Sequence, residues 1–248
     1  MKALILAAGY AKRLYPLTLD QAKPLLQIGG RPMISRIADK IARVSGIDHL
    51  YVVTNDRFFS QFQDWKKSYS LPIPCEVLND GTTNNENRLG AIGDIRFVIQ
   101  EKRTKDDFLI LAGDNLFEFD LNDFIQFFHR KGSSVGSFDL ESLDKAVQYG
   151  VLKVDSEGRI LEFHEKPEKP PSSLISTGVY AYTSGDLGLL DQYFSEKGLP
   201  DAPGYFLSWL IKRKDVFSYR VSGGWYDIGD IESYREADRR YRSQEKAV

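Results

Sequence analysis

The chain has 248 residues, 42% of them hydrophobic, which is enough to bury one substantial core. Acidic and basic residues cancel to a formal net charge of -2 with no basic block, which argues against a nucleic-acid surface. The lone cysteine, Cys75, excludes an intramolecular disulfide and fits a reducing compartment, while the three scattered histidines offer no zinc ligand set. The apolar run over 3–8 is too short for a signal peptide and is followed at once by Lys12, Arg13 and Pro16. No other run is long enough to span a bilayer, so the expected location is the cytoplasm, away from membranes.

In chain order, residues 2–8 form a continuous apolar stretch ending at Gly9, the pattern of a parallel strand buried on both faces. After Gly29-Gly30 the spacing of Met33, Ile37, Ile41 and Val44 is helical, and 50–54 reads as a second strand, completing a βαβ unit. A short helix is expected over 58–65, a strand over 73–78, a helix over 86–101 and a strand over 108–112 that runs into Gly113-Asp114. This alternation predicts a doubly wound, mostly parallel sheet. Beyond about residue 133 the pattern turns antiparallel, because Asp155-Ser156-Glu157-Gly158 between 151–154 and 160–164 is a strong hairpin signal. A strand over 176–182, helices over 186–194 and 205–212, a strand over 216–221 and a charged helix over 231–242 follow. The reading is one α/β domain over 1–248, with a nucleotide-binding half to about residue 132 and a substrate-binding half after it.

Three segments carry chemistry. The small-residue turn Ala8-Gly9 after a buried strand lets backbone N–H groups approach phosphate oxygens, and Lys12, Arg13 and Lys23 lie just beyond it, an arrangement suited to a polyanion. Asp114 emerges at the C-terminal end of a strand, the edge where open α/β sheets bind ligands, and there it either holds a metal or caps the next turn. Glu165-Lys166-Pro167 is delivered by the hairpin, and Gly224-Trp225-Tyr226-Asp227-Ile228-Gly229 places a second acid beside a glycine late in the chain. Asp230 suits the cap of the closing helix. The stretch from Asp80 to Gly90 is rich in asparagine, and Asn84 or Asn85 either reads a base edge or caps a helix.

Taken in order, Arg13-Leu14, Pro16-Leu17-Thr18, Lys23-Pro24-Leu25, Tyr149-Gly150-Val151, Glu165-Lys166-Pro167, Thr177-Gly178-Val179-Tyr180 and Trp225-Tyr226-Asp227 resemble the motifs of the sugar-1-phosphate nucleotidyltransferase family. The resemblance covers nearly the whole chain. It departs where Ala11 and Lys12 replace a glycine and a threonine, and where Asp230 replaces a small polar residue. Some relatives carry a C-terminal β-helix or a second catalytic domain, whereas no hexapeptide repeats occur here.

The resemblance implies a Rossmann-like fold and a magnesium-dependent transfer of a nucleotidyl group from a nucleoside triphosphate to a sugar-1-phosphate, releasing pyrophosphate. By the same carry-over, Arg13 and Lys23 hold the triphosphate, with Ala8, Gly9, Lys12, Asn84, Asn85 and Gly90 around the nucleotide. Asp114 and Asp227 hold Mg²⁺, and Gly150, Glu165, Lys166, Thr177 and Trp225 serve the sugar phosphate. The resemblance makes dTTP or UTP with glucose-1-phosphate the default substrates and leaves homo-oligomerisation open. Two other readings stand beside it. A glycosyltransferase of related fold would place an Asp-x-Asp where Asp114-Asn115-Leu116 stands, and a catalytically silent regulatory relative is suggested by Ala11 and Lys12.

Overall fold

The computed structural model describes residues 1–198 and 202–245, the last by its backbone alone. The first half runs β1 (Lys2–Leu6), β2 (Gln27–Ile28), β3 (Arg31–Pro32), α1 (Met33–Ala42), β4 (His49–Thr54), α2 (Phe59–Ser68), β5 (Cys75–Asn79), α3 (Gly90–Lys102), β6 (Phe108–Ala112), β7 (Asn115–Phe117) and α4 (Leu121–Lys131). The second half runs β8 (Ser134–Asp139), α5 (Leu143–Ala146), β9 (Gly150–Val154), β10 (Ile160–Glu165), β11 (Leu174–Tyr182), α6 (Ser184–Leu187), α7 (Leu190–Lys197), α8 (Pro203–Leu210), β12 (Phe217–Arg220), β13 (Trp225–Asp227) and α9 (Ile231–Glu245).

A mixed nine-stranded sheet joins the halves in the order β10-β9-β11-β6-β1-β4-β5, with β8 on β11 and β12 on β8. The pairs β1–β4, β1–β6 and β4–β5 are parallel, and β11 joins β6 antiparallel. Because strand side chains alternate, each central strand feeds both faces. Ala3, Ile5, Val52 and Leu111 meet Ile37 and Ile41 of α1, Phe62 of α2 and Phe124 of α4 on one face. Leu4, Val53 and Ile110 meet Ile92 and Val98 of α3 and Leu207 and Leu210 of α8 on the other. The continuous apolar runs of β1, β4 and β6 are the consequence of this double cover.

The differences from the sequence reading have local causes. The helix expected from residue 86 begins at Gly90, because the preceding loop is tied by its own side chains. Asn84 Oδ1 accepts from the N–H groups of Glu86 and Asn87, and Asn87 Oδ1 accepts from those of Thr83 and Asn84. These bonds offer the backbone an alternative to the helix. The helix expected over 186–194 is two, α6 and α7, with Gly188 at the break. Helix α4 was not anticipated, although Leu121, Phe124, Ile125 and Phe128 are buried at helical spacing and Asp120 caps its first turn through Asn122 N.

Candidate active site

The parallel register that sets Leu6 beside Ala112 brings the turn after β1 against Gly113 and Asp114 after β6. The approach is close: a Cβ on Gly113 would lie 2.7 Å from the Leu6 carbonyl oxygen. Between them opens a cleft of about 600 Å³, lined by the turn from Leu6 to Leu14 and by Lys23, Asn85, Arg88, Gly90, Asp94, Asp114, Lys166 and Gly229 among others. It therefore lies at the C-terminal strand edge, where backbone N–H groups are freed for a ligand.

Within the turn, Ala11 has φ 45° and ψ 44°, a left-handed conformation that glycine adopts without cost and alanine does not. The turn is held in it. Thr18 Oγ1 donates to the Ala11 carbonyl at 2.8 Å, and Asn55 Nδ2, buried below, donates to the Ala8 carbonyl at 2.8 Å. Lys12 reaches across the cleft mouth to Glu86 at 3.6 Å, both side chains being largely in water.

The two candidate metal acids are joined by a feature that sequence reasoning missed. Strand β13 pairs antiparallel with β7, setting Asp227 opposite Asn115 and hence beside Asp114. The Ile228 N–H donates to the Asp114 carbonyl at 3.1 Å, which fixes the junction. Lys23, only 7% exposed, donates through Nζ to Asp114 Oδ2 at 2.7 Å. The Arg13 guanidinium lies near Gly229, with both terminal nitrogens 3.9 Å from where a Cβ on that glycine would stand. Burial pushes the Asp227 carboxyl up to about 6, the charge of Asp114 adds to the push, and Lys23, Arg13 and Lys166 oppose it.

These residues fit a magnesium ion. Two hard oxygen donors adjoin, and the more buried one carries a charge that its neighbours leave incompletely compensated. Among the described residues no third acidic, histidine or cysteine ligand completes a cluster. Mg²⁺ commonly takes one or two carboxylates and fills its remaining positions with water and substrate phosphate oxygens.

The β9–β10 hairpin ends at Glu165, next to Lys166 of the cleft lining; burial raises the Glu165 carboxyl above the usual carboxylate range while Lys166 opposes the rise. Lys166 follows with φ 48°, and its N–H donates to the Tyr149 carbonyl at 3.0 Å. This strained backbone turns the residue into the cleft lining. Gly150 lies beneath the Phe163 ring, with Glu165 beside it. Trp225 is half-buried, donating from Nε1 to the Thr177 carbonyl at 3.1 Å with its ring against Phe138 and Tyr149.

Two residues of the expected set are placed differently. Thr177 is fully buried and its hydroxyl is spent on the Gly136 carbonyl at 2.8 Å, so its role is to hold β11 to β8. Asn84 is engaged in its own loop, leaving Asn85 and Gly90 as the members of that stretch on the cleft wall. Asp230 caps α9, its Oδ1 accepting from Ser233 N at 2.8 Å. Asp94, which the sequence reading passed over, also lines the cleft; a charged residue one turn into an otherwise apolar helix face was the available signal.

The model of the family described as nucleotidyl transferase matches residues 2–244. The chain belongs to that family. It is 29% identical over 243 residues to the bifunctional protein GlmU of Methanocaldococcus jannaschii, covering 96% of this chain and 54% of that protein. Against GlmU of Methanococcus aeolicus the identity is 28% over 233 residues, 92% of this chain and 51% of that one. The chain thus spans about half the length of the curated relatives it matches.

Among solved structures it superimposes on a protein described as a glucose-1-phosphate thymidylyltransferase from Bacillus anthracis, crystallised with sucrose. The TM-score is 0.80 at 24% identity, over 98% of this chain and 95% of that one. A UDP-glucose pyrophosphorylase in complex with UDP-glucose gives 0.81 at 23% identity, over 98% of both chains. At such identities the likeness is one of fold, and it agrees with the mixed, centrally parallel sheet. No helix among the described residues is long and apolar enough to cross a membrane.

Proposed function

We propose that this member of the nucleotidyl transferase family joins a sugar-1-phosphate to a nucleoside triphosphate, making an NDP-sugar and pyrophosphate. The observation that carries the reading is the meeting, around one cleft, of an adjoining acid pair, Asp114 and Asp227, with Lys23, Arg13 and Lys166.

The attacking group is a phosphate oxygen already ionised at neutral pH, so no general base is needed. The obstacle is repulsion between two polyanions, and catalysis reduces to positioning and charge stabilisation. Lys166, turned into the cleft by its strained backbone, receives the acceptor phosphate. Glu165, beside Gly150, faces a sugar hydroxyl from its sheltered position. The turn from Ala8 to Ala11 offers N–H groups to the triphosphate, and the planar fork of Arg13 takes oxygens of the departing pyrophosphate. Lys23, buried against Asp114, holds that carboxylate in place through their ion pair until substrate arrives. Asp114 and Asp227 would hold Mg²⁺, which when bound neutralises charge on the α-phosphate. Both substrates are cytoplasmic metabolites, and that compartment is part of the reading.

The test is pyrophosphate release in Mg²⁺, with nucleoside triphosphates crossed against glucose-, mannose-, galactose-, N-acetylglucosamine- and inositol-1-phosphate. Turnover in a few combinations, lost in Asp114→Asn with the fold intact, is the expected result. Nucleotide binding without release in any combination would favour a silent regulatory relative instead.

A further inference from the structure

Resting on the nucleotidyltransferase reading, this inference concerns how Asp227 is held beside Asp114. Strands β7 and β13 form a two-stranded sheet of their own, three residues each, outside the nine-stranded sheet. A two-stranded ladder of that length is marginal by itself. One end is closed by the Ile228 N–H on the Asp114 carbonyl. The fastening at the other end decides how firmly Asp227 keeps its place.

Glu118 supplies that fastening. Its backbone N–H donates to the Gly224 carbonyl at 2.8 Å and its Oε2 accepts from the Gly224 N–H at 3.1 Å, so both polar groups of the residue before β13 are taken. The other carboxylate oxygen, Oε1, accepts from Tyr226 Oη at 3.2 Å, Arg240 Nη2 at 3.2 Å and Gln244 Nε2 at 3.4 Å. The close approach requires glycine at 224, where a Cβ would stand 2.8 Å from Glu118 Cδ and closer still to Tyr226 Oη. Side chains alternate along a strand, so Tyr226 points away from the face shared by Trp225 and Asp227. On that outer face the Arg240 guanidinium lies 5.0 Å from the centre of the Tyr226 ring, and the Tyr241 ring meets it edge-on. Arg240, Tyr241 and Gln244 belong to α9, so the Glu118 carboxylate joins β7, β13 and α9 behind the strand whose front carries Asp227.

We propose that Glu118 is a positioning residue for the transfer: by fastening β13 from behind, it keeps Asp227 against Asp114 in the arrangement that takes the metal. Glu118 is not part of the cleft lining and acts through Gly224 and Tyr226. Without it the acid pair is assembled in only a fraction of the molecules, and the apparent metal affinity falls by that fraction. Excess metal selects the assembled molecules and restores the reaction. That repair separates a positioning residue from Asp227 itself, whose loss no metal concentration makes good.

The experiment measures Mn²⁺ binding, from the loss of the free-ion electron paramagnetic resonance signal, and pyrophosphate release as Mg²⁺ is varied. The proteins are the wild type, Glu118→Ala, Glu118→Gln, Asp227→Asn and Glu196→Ala. Glu118→Ala should weaken Mn²⁺ binding about tenfold and raise the Mg²⁺ needed for half-maximal activity to match, while kcat at saturating Mg²⁺ stays within about threefold of wild type. Glutamine can still accept from the Gly224 N–H and donate to Tyr226 Oη, so Glu118→Gln should lie within about threefold of wild type in both readouts. Glu196 accepts comparable bonds from Gln192, Trp209 and Arg213, away from β13, and Glu196→Ala should leave both readouts at the wild-type level. Wild-type Mn²⁺ affinity in a folded Glu118→Ala overturns the assignment. So does an equal loss in Glu196→Ala, the mark of general destabilisation. If Glu118→Ala does not fold, Glu118→Asp, which keeps the charge and withdraws it by one methylene, is read in its place; a loss of about threefold or more supports the assignment and wild-type affinity overturns it. No Mn²⁺ binding by the wild type, or binding as tight in Asp227→Asn, would instead strike down the metal reading together with the assignment.

Discussion

Replacing Asp227 with asparagine should stabilise the metal-free protein while abolishing nucleotidyl transfer. The carboxyl is held at about 6 in the fold against 3.8 for an unperturbed aspartate. Each pKa unit corresponds to about 1.4 kcal/mol, so ionised Asp227 costs the fold roughly 2–3 kcal/mol. The sign follows from proton binding. Between 3.8 and about 6 the folded state holds more protons at this group than the unfolded one, so its contribution to stability falls as pH rises through that window and is flat above it. Asparagine is nearly isosteric and carries no charge.

Urea unfolding in EDTA should therefore show wild type and Asp227→Asn nearly equal at pH 4. At pH 7.5 the variant should lead by about 2 kcal/mol, or several degrees in Tm for a chain of this size. Mg²⁺ should narrow the gap by binding the native wild type. A variant no more stable than the wild type at pH 7.5, or a difference that does not vary with pH, would refute the account of Asp227 as a destabilised buried charge.

Other outcomes follow from the same geometry. Ala11→Gly should relax the left-handed turn at φ 45°, a gain of about 1–2 kcal/mol offset by up to about 1 kcal/mol of added unfolded-state entropy, leaving a small net stabilisation in denaturant titration. Gly113→Ala places a methyl 2.7 Å from the Leu6 carbonyl oxygen, and thermal unfolding should register a loss of about 2–3 kcal/mol. Lys23→Met leaves the acid pair without its buried counter-ion, and pyrophosphate release should be lost while circular dichroism stays native. Lys12→Ala removes an exposed ion pair with Glu86, so stability should change by less than about 0.5 kcal/mol, and the KM for nucleotide should rise most at low salt.

The legible parts of the sequence were those whose cause is local. The apolar runs of β1, β4 and β6, the helical spacing of Met33, Ile37 and Ile41, and the turn residues between β9 and β10 each announce themselves within about ten residues. The α4 pattern was equally present and went unread, whereas β8 carries Ser134, Gly136 and Ser137 and becomes a strand by pairing with β11 and β12.

By itself, then, the sequence determined the alternating α/β order, the small-residue turn after β1, and the identities of the charged groups proposed to serve a phosphate site. Tertiary structure decided which of them meet. Strands β7 and β13 are three residues each, too short for any periodicity to show, and only their long-range pairing sets Asp227 beside Asp114. Thr177, in a motif-like context, is turned inward by the β11–β8 pairing, and Asp94, in no motif, reaches the cleft because α3 starts at Gly90 and lays that face along it. The physical reason is that backbone preferences and amphipathic patterning act over a few residues, whereas contact between distant segments is selected by the packing of the whole sheet.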